Sequence, residues 1–211
     1  MSNNVQYAFH FDQSKCNGCK ACHVICKSKF DAENGRIPRR VYEYVGGSCS
    51  QDANGVMKNN VFAYYTSVGC NHCSEPVCVK ACPTGAMHKR KSDGLVHVDA
   101  SVCIGCESCA RACPYDAPQI DRTRKVMTKC TGCPEQTAKG KLPHCVAGCT
   151  QRALDFGTVE EIQAKYPGAE RANVAPLPAP STTTPNLFIT KSRISRPSGS
   201  SEGKVENWQE V

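Results

Sequence analysis

CNGCKACHVIC, at residues 16–26, sets the pattern for the whole chain, because CIGCESCARAC at residues 103–113 repeats its spacing. Aligned without a gap, the longer stretches 9–26 and 96–113 share His, Asp, Ser, Gly and all four Cys. In both stretches a strand-like alternation of apolar and polar residues precedes a C-x2-C-x2-C-x3-C run. The repeat predicts that one structural unit occurs twice in the chain.

Sixteen of the seventeen cysteines fall into four groups of four. The second and fourth groups begin C-x2-C and end x3-C around different insertions, so they look like looser partners of the repeated unit. Cys49 lies in a Gly–Ser-rich stretch outside every group, and we interpret it as a free thiol. The groups are Cys16, Cys19, Cys22 and Cys26; Cys70, Cys73, Cys78 and Cys82; Cys103, Cys106, Cys109 and Cys113; and Cys130, Cys133, Cys145 and Cys149.

These spacings are typical of cubane 4Fe–4S clusters. Three cysteines of a C-x2-C-x2-C run bind one cluster, and the fourth, three residues on, points to a second cluster. The second and third groups are neighbours in sequence and both end in Cys-Pro, so we pair them; the first and fourth groups then pair across them. The predicted ligand sets are Cys16, Cys19, Cys22 and Cys149 (cluster 1); Cys26, Cys130, Cys133 and Cys145 (cluster 2); Cys70, Cys73, Cys78 and Cys113 (cluster 3); and Cys82, Cys103, Cys106 and Cys109 (cluster 4).

Zinc is the alternative metal, because pairs of C-x2-C also build zinc ribbons and knuckles. The first and third groups fit a cubane and make a poor tetrahedral zinc pattern. The fourth group, with eleven residues between its two pairs, fits zinc on its own. A zinc-binding scaffold and a free polyferredoxin without fixed partners therefore remain as alternatives to a relay of four 4Fe–4S clusters.

Composition and motifs narrow the functional classes. Only 7% of the 211 residues are aromatic, so the apolar core is expected to be thin and supplemented by metal–ligand bonds. The formal charge of +7 would suit nucleic acid, but sixteen ligating thiolates on four oxidised cores bring the net charge close to zero. No phosphate loop, dinucleotide fingerprint or nucleophile elbow is present. We therefore predict no catalytic residues, no nucleic-acid partner and a role in conducting electrons.

Targeting signals are also missing from the sequence. Met1–Phe11 has neither the basic nor the apolar region of a signal peptide, and no twin-arginine pair precedes an apolar run. No stretch approaches the roughly 18 consecutive apolar residues of a membrane span. We expect a chain that is made in the cytoplasm and reaches a membrane only through partners.

The predicted fold is α+β: two interleaved two-cluster ferredoxin-like units with an inserted β segment and an extended C-terminal tail. Residues 1–30 and 121–160 form the outer unit, and residues 67–120 form the inner unit. Residues 31–66 are an inserted strand and loop segment, and the Pro/Ser/Thr-rich residues 161–211 are a tail that buries little and docks on a partner. Strands are predicted at Tyr7–Asp12, Val41–Val45, Val61–Val68, Leu95–Asp99 and Ala153–Phe156, and short helices around Cys22–Cys26 and Cys109–Cys113.

Several residues near the motifs receive structural interpretations. His10 and His97 occupy equivalent strand positions of the repeat. For His72 we favour a plain loop residue over a hydrogen bond to a cluster sulfur. Gly18 and Gly105 are predicted to let their loops pass close to a cluster without a side-chain clash.

From residue 16 to residue 178 the chain resembles the four-cluster electron-transfer subunits of the molybdopterin oxidoreductase family. The segments between the cysteines resemble the branch formed by the B subunits of anaerobic dimethyl sulfoxide reductases. The motifs that carry the resemblance are CNGCKACHVIC, RRVYEYVGG, NVFAYYTSVGCNHC, CPTGAMHKR, DGLVHVDASVCIGC, CPYDAPQ, MTKCTGC, RALDFG and VAPLP.

The resemblance implies a three-part enzyme. A molybdopterin catalytic subunit reduces sulfoxides and N-oxides, an integral membrane subunit oxidises menaquinol, and this chain connects the two. It also implies co-export with the catalytic subunit to the periplasmic face of the inner membrane. In the related nitrate reductases a Trp stands at the place of Cys106, so Cys106 here implies a fourth complete 4Fe–4S cluster. The same role beside an enzyme acting on thiosulfate, tetrathionate, polysulfide or formate remains open.

Overall fold

The computed structural model describes residues 5–211, so the first four residues of the predicted segment 1–30 and of Met1–Phe11 lie outside it. Within this range strands alternate with short helices, which confirms the predicted α+β class. The strands are β1 (Tyr7–Asp12), β2 (Arg40–Gly46), β3 (Cys49–Gln51), β4 (Met57–Asn59), β5 (Phe62–Val68), β6 (Met87–Lys89), β7 (Val96–Val98), β8 (Gln119–Asp121), β9 (Val126–Thr128), β10 (Leu154–Thr158), β11 (Glu170–Arg171), β12 (Leu187–Thr190) and β13 (Gly203–Val205).

The helices are short and most of them carry or flank cysteines. They are α1 (Ala21–Lys29), α2 (Val77–Lys80), α3 (Ser108–Ala112), α4 (Pro134–Thr137), α5 (His144–Ala147) and α6 (Val159–Lys165), with 3-10 turns at Pro180–Thr182 and Trp208–Glu210. Cys82 and Cys113, each followed by proline, lie outside the helices, as expected for residues that precede proline. Across residues 5–211, no helix has the length and apolar character needed to cross a membrane.

A four-stranded sheet joins the two ends of the outer unit. Its strand order is β10-β1-β12-β11. β1 pairs antiparallel with β10, and Phe11 lies opposite Leu154. On its other edge β1 runs parallel to β12, and Phe9 lies opposite Leu187. Because Phe9 and Phe11 are 2% and 0% exposed, this sheet forms one wall of the main core.

The C-terminal segment is packed against the rest of the protein. β11 and β12 complete the sheet beside β1, and β13 pairs with β2. Leu187, Phe188 and Ile189 are buried. The prediction that residues 161–211 bury little is therefore wrong. The segment is rich in Pro, Ser and Thr on average, but it contains the apolar run LFIT at Leu187–Thr190. The backbone of this run forms hydrogen bonds with the edge of β1 that would otherwise be unpaired.

The inserted segment forms its own small sheet. β2 and β5 pair antiparallel, from Arg40 opposite Val68 to Gly46 opposite Phe62, as expected from the two predicted strands. Between them β3 and β4 form a hairpin in which every residue is exposed. The insertion thus contributes one wall of the core and one projecting hairpin.

The stretch from β6 to β9 contains two further hairpins. β6 pairs with β7 on the two sides of residues 91–94, and β8 pairs with β9. Met87, Val96 and Met127 from these hairpins pack around Cys78 and Cys109 in a second apolar cluster. Most of the cysteines in the four groups therefore belong to, or pack against, one of the two apolar clusters.

Candidate metal centres

The two repeated cysteine loops have the same backbone path. Each loop ends in a residue with left-handed backbone, Lys20 (φ 58°) before α1 and Glu107 (φ 59°) before α3. This turn reverses the chain, so that two cysteines precede the helix and one lies within its first turn. On α1, Cys22 and Cys26 lie one turn apart and both are buried, so one helix holds a cysteine of two different predicted sets.

The glycines of these loops are required by the protein's own packing. Gly18 and Gly105 have φ of +72° and +65°, which favours glycine. A Cβ on Gly18 would lie 2.4 Å from the Tyr65 ring, and one on Gly105 would lie 2.4 Å from the carbonyl oxygen of Lys125. The side chain at either position is therefore excluded by Tyr65 or Lys125 of the protein itself, whereas the sequence prediction considered only a clash with the cluster.

Three of the four predicted ligand sets each line one cavity. In each cavity three cysteines of one group meet the last cysteine of another, which is the exchange that we predicted. The sets are Cys16, Cys19, Cys22 and Cys149; Cys70, Cys73, Cys78 and Cys113; and Cys82, Cys103, Cys106 and Cys109.

The fourth predicted set is buried deeper. Burial raises the pKa of Cys26, and the neighbouring thiolates of Cys130, Cys145 and Cys133 raise it further. All four of these cysteines are buried and free. The fourth sequence group, for which zinc remained an alternative, is thus divided between two places. Cys149 lines the cavity of the first group. Cys130, Cys133 and Cys145 lie near Cys26. Among residues 5–211, no three His, Cys, Asp or Glu side chains converge closely enough to hold a single metal ion.

Backbone amides donate hydrogen bonds to several of the sulfurs, and such bonds tune the properties of a bound metal centre. The donors follow the cysteine by a few residues or come from a neighbouring hairpin. They are Met87 N–H to Cys82 (3.4 Å), Met127 N–H to Cys103 (3.3 Å), Gly132 N–H to Cys130 (3.5 Å) and Ala153 N–H to Cys149 (3.3 Å).

Cys19 and Cys106 differ from the buried cysteines in their thiol environment. Cys19 and Cys106 are exposed, and hydrogen bonds with Thr150 and Ser108 lower the pKa of each thiol. Burial instead raises the pKa of Cys145 to about 11 and that of Cys73 to about 12. Buried thiols resist ionisation until a cationic metal core replaces their protons. Free thiols that converge in fours inside an apolar core fit 4Fe–4S clusters.

The histidines of the motifs have structural roles. His10 is buried, lies 2.8 Å from Thr190 Oγ1 through Nε2 and stacks on Tyr166. His72 is 1% exposed, and its Nδ1 accepts the N–H of Val96 at 2.9 Å. That bond fastens the second cysteine loop to β7, so His72 is a buried anchor and not the plain loop residue that we favoured.

Two buried cations were not singled out from the sequence. Arg39 is 2% exposed, and Lys129 is 3% exposed. Lys129 Nζ donates to the carbonyl oxygens of Val96 and Cys130, and its charge opposes the rise that burial causes in the pKa of Cys70. The position of Lys129 directly before Cys130 is the sequence feature that could have indicated its role. Arg39 lies in the segment RRVYEYVGG, where no local pattern marks the first arginine as buried.

Comparisons with known proteins agree with this chemistry. Residues 61–159 match the model of a 4Fe–4S dicluster domain, and residues 13–33 match that of a 4Fe–4S binding domain. The B chain of anaerobic dimethyl sulfoxide reductase from Escherichia coli (strain K12) is 50% identical over 207 residues, which cover 98% of this protein and 99% of the relative.

Two further relatives show the range of similarity. The B chain of the same name from Haemophilus influenzae is 47% identical over 206 residues, covering 98% of this protein and 99% of the relative. Thiosulfate reductase electron transfer subunit PhsB of Salmonella typhi is 36% identical over 159 residues, covering 74% and 78% in the same order. The family matches confirm the predicted ferredoxin-like fold and an iron–sulfur cofactor.

Proposed function

Because this protein belongs to the family of the anaerobic dimethyl sulfoxide reductase B chains, we propose that it relays electrons through four 4Fe–4S clusters to a molybdopterin subunit that reduces dimethyl sulfoxide. Other sulfoxides and N-oxides are included in the proposed substrate range. As a member of this family the protein is an iron–sulfur electron-transfer subunit and not itself catalytic. The electrons come from an integral membrane subunit that oxidises menaquinol.

The observation that carries the proposal is that three of the predicted sets, with four cysteines each, line one cavity apiece in a chain that matches such a subunit over nearly its whole length. A 4Fe–4S cluster supplies one-electron redox chemistry with little rearrangement. The chain would hold each cluster through its cysteines, among apolar side chains, and it donates backbone N–H groups to sulfurs of sets 1, 2 and 4.

Neighbouring ligand sets in the proposal are connected by helices that carry or flank cysteines of two sets. α1 carries Cys22 of cluster 1 and Cys26 of cluster 2. α3 carries Cys109 of cluster 4, and Cys113 of cluster 3 follows at its end. Clusters 1 and 4 each have an exposed ligand, Cys19 and Cys106, whereas all four ligands of cluster 2 are buried. This distribution supports entry and exit of electrons at clusters 1 and 4.

The proposed location is the periplasmic face of the inner membrane, reached by co-export with the catalytic subunit. The catalytic subunit and the membrane anchor are the proposed partners. A relay beside a thiosulfate or tetrathionate enzyme is the second candidate. It is supported by the 36% identity to the thiosulfate reductase subunit and the 35% identity to the B subunit of tetrathionate reductase from Salmonella typhimurium.

Metal analysis tests the cofactor. Iron, zinc and acid-labile sulfide are measured on the anaerobically purified protein. We expect about sixteen irons with matching sulfide. About twelve irons with one zinc would contradict the fourth cluster, and stoichiometric zinc with little iron would overturn the relay.

Purification of the native complex through this protein tests the partners and the substrate. The expected result is a molybdenum-containing subunit and a membrane subunit in the eluate, with reduced viologen oxidised by dimethyl sulfoxide. Turnover with thiosulfate or tetrathionate and none with dimethyl sulfoxide would favour the second candidate.

A further inference from the structure

The positive charge of Arg39 is buried among cysteines of the sets predicted for clusters 1 and 2. Arg39 ends the segment before β2, and its side chain is 2% exposed. Within residues 5–211, no carboxylate lies within ion-pair distance of its guanidinium. A buried charge without a counter-charge is strongly destabilising, so the negative charge that balances Arg39 must come from another source.

The contacts of the guanidinium lead to a cysteine sulfur. Arg39 Nη1 donates to Ser67 Oγ at 3.1 Å, and Ser67 Oγ lies 3.3 Å from Cys22 Sγ. Because the Ser67 oxygen accepts from Arg39, its hydroxyl proton is free to be donated to the sulfur. The guanidinium carbon also lies 4.9 Å from the centre of the Phe9 ring, and Nε has no hydrogen-bond partner among the described residues.

The cysteines around Arg39 can supply the missing negative charge once they are bound to a cluster as thiolates. Burial alone would lower the pKa of Arg39, but negative charge on four cysteines outweighs it and raises the pKa. One of the four belongs to the set of cluster 1 and three belong to the set of cluster 2. They are Cys22, and Cys145, Cys130 and Cys26.

We propose that the buried charge of Arg39 raises the reduction potentials of clusters 1 and 2 together, and that Ser67 carries part of this effect to Cys22. An added electron makes a cluster more negative, and a fixed cation in a medium of low dielectric constant stabilises that state. A hydroxyl donated to a ligating sulfur acts in the same direction. This inference rests on the proposed function, because it requires clusters in both sets.

Redox titration of the purified holoprotein, followed by electron paramagnetic resonance, tests the proposal with dithionite as the reductant. In Arg39→Gln, the midpoint potentials of two of the four clusters shift downward and those of the other two stay in place. Arg39→Lys keeps the charge, and its shifts are smaller. Ser67→Ala removes only the hydroxyl, and one cluster shifts.

Arg40→Gln is the matched control. Arg40 is the next residue, is also buried, and donates to the carbonyl oxygen of Asp116 at 2.7 Å, with the Asp116 carboxylate at 4.0 Å. Its charge is thus balanced by a carboxylate, and its replacement leaves all four potentials in place.

The outcomes separate this inference from the proposed function. A wild-type protein without about sixteen irons overturns the four-cluster function itself. Full iron content with four unshifted potentials in Arg39→Gln overturns only the role of Arg39. If Arg39→Gln does not assemble, Ser67→Ala replaces it, because Arg39→Lys keeps the charge: a downward shift confined to cluster 1 supports the role, and four unshifted potentials overturn it.

Discussion

The position of a cysteine in the fold decides whether it lies near other cysteines. Cys49 lies on β3 in the projecting hairpin, exposed and away from every cysteine-lined cavity. Cys19 is also exposed, but it lines the cavity of the first set. Exposure therefore does not separate a free thiol from a ligand, whereas convergence with other sulfurs does.

We expect Cys49→Ala to keep the full iron and sulfide content, because the cysteine lies outside every set. Cys19→Ala, which is matched in residue type and exposure, is expected to lose up to about four irons with its cluster. Iron and acid-labile sulfide per chain are the measurements. Loss of iron from the Cys49 variant would show that this cysteine is a ligand.

A second prediction concerns His10 and acid stability. Burial lowers the pKa of His10 to about 4 although Asp12 and Asp155 act in the opposite direction. Between pH 6.5 and about 4 the unfolded chain therefore binds a proton at this residue that the folded chain does not. Its contribution is present above pH 6.5 and is lost as the pH falls, by up to about 1.4 kcal/mol per pH unit.

The measurement is the apparent melting temperature of the holoprotein from pH 7 to pH 4. The stability advantage of the wild type over His10→Gln should shrink as the pH falls through this window. An advantage over His10→Gln that is independent of pH would contradict the prediction.

Among the strands, β12 has the largest consequence for the fold. It lies between β1 and β11, and Ile189 on it is 0% exposed. Ile189→Ala should lower the free energy of unfolding by about 2–5 kcal/mol, since it removes a fully buried side chain and leaves a cavity. Ile194→Ala removes the same atoms at a site that is 42% exposed and should cost far less.

Chemical denaturation of the two isoleucine variants under anaerobic conditions is the measurement. Equal loss of stability in both would mean that β12 does not close the core. The iron content of each variant is measured beforehand, so that a loss of clusters is not mistaken for a loss of packing.

Sequence patterns predicted the elements that follow simple periodicity. The strands next to the cysteine loops and the helices after Cys19 and Cys106 lie where the alternation and the repeat indicated. β12 and β13 were missed because each is three or four residues long in a segment rich in Pro, Ser and Thr. Short strands of this kind form because they pair with the exposed edge of another strand, and that edge is known only from the tertiary structure.

At the candidate site, spacing predicted which cysteines converge but not what surrounds them. A ligand motif is local, whereas Arg39 reaches Cys22 through Ser67, which lies 28 residues further along the chain than Arg39. The same holds for His72, whose buried state depends on β7. The environment of a metal site is built from distant segments and is therefore invisible to a motif.

Across the molecule as a whole, exposure of the ligands differs between the ends and the middle of the proposed relay. Cys19 and Cys106 are exposed, whereas Cys26, Cys130 and Cys145 are buried. Oxygen reaches a cluster more easily through an exposed ligand, so clusters 1 and 4 of the isolated protein should be lost first during stepwise air oxidation.

Electron paramagnetic resonance of each intermediate follows this loss. Cys19→Ala and Cys106→Ala, which lack cluster 1 and cluster 4 respectively, identify the signals. Loss of the cluster held by Cys26 before the other two would contradict the prediction. Partner subunits that cover either end should slow the loss at that end alone.

The pairing of β1 also has a consequence for biosynthesis. β1 leaves the ribosome first, yet both of its neighbours, β10 and β12, come from the last third of the chain. Roughly 140 residues separate β1 from β10 and roughly 175 separate it from β12, so the complete sheet cannot form until β12 has been synthesised. A chain that terminates before β12 leaves β1 without its parallel partner, a substrate for chaperones and proteases.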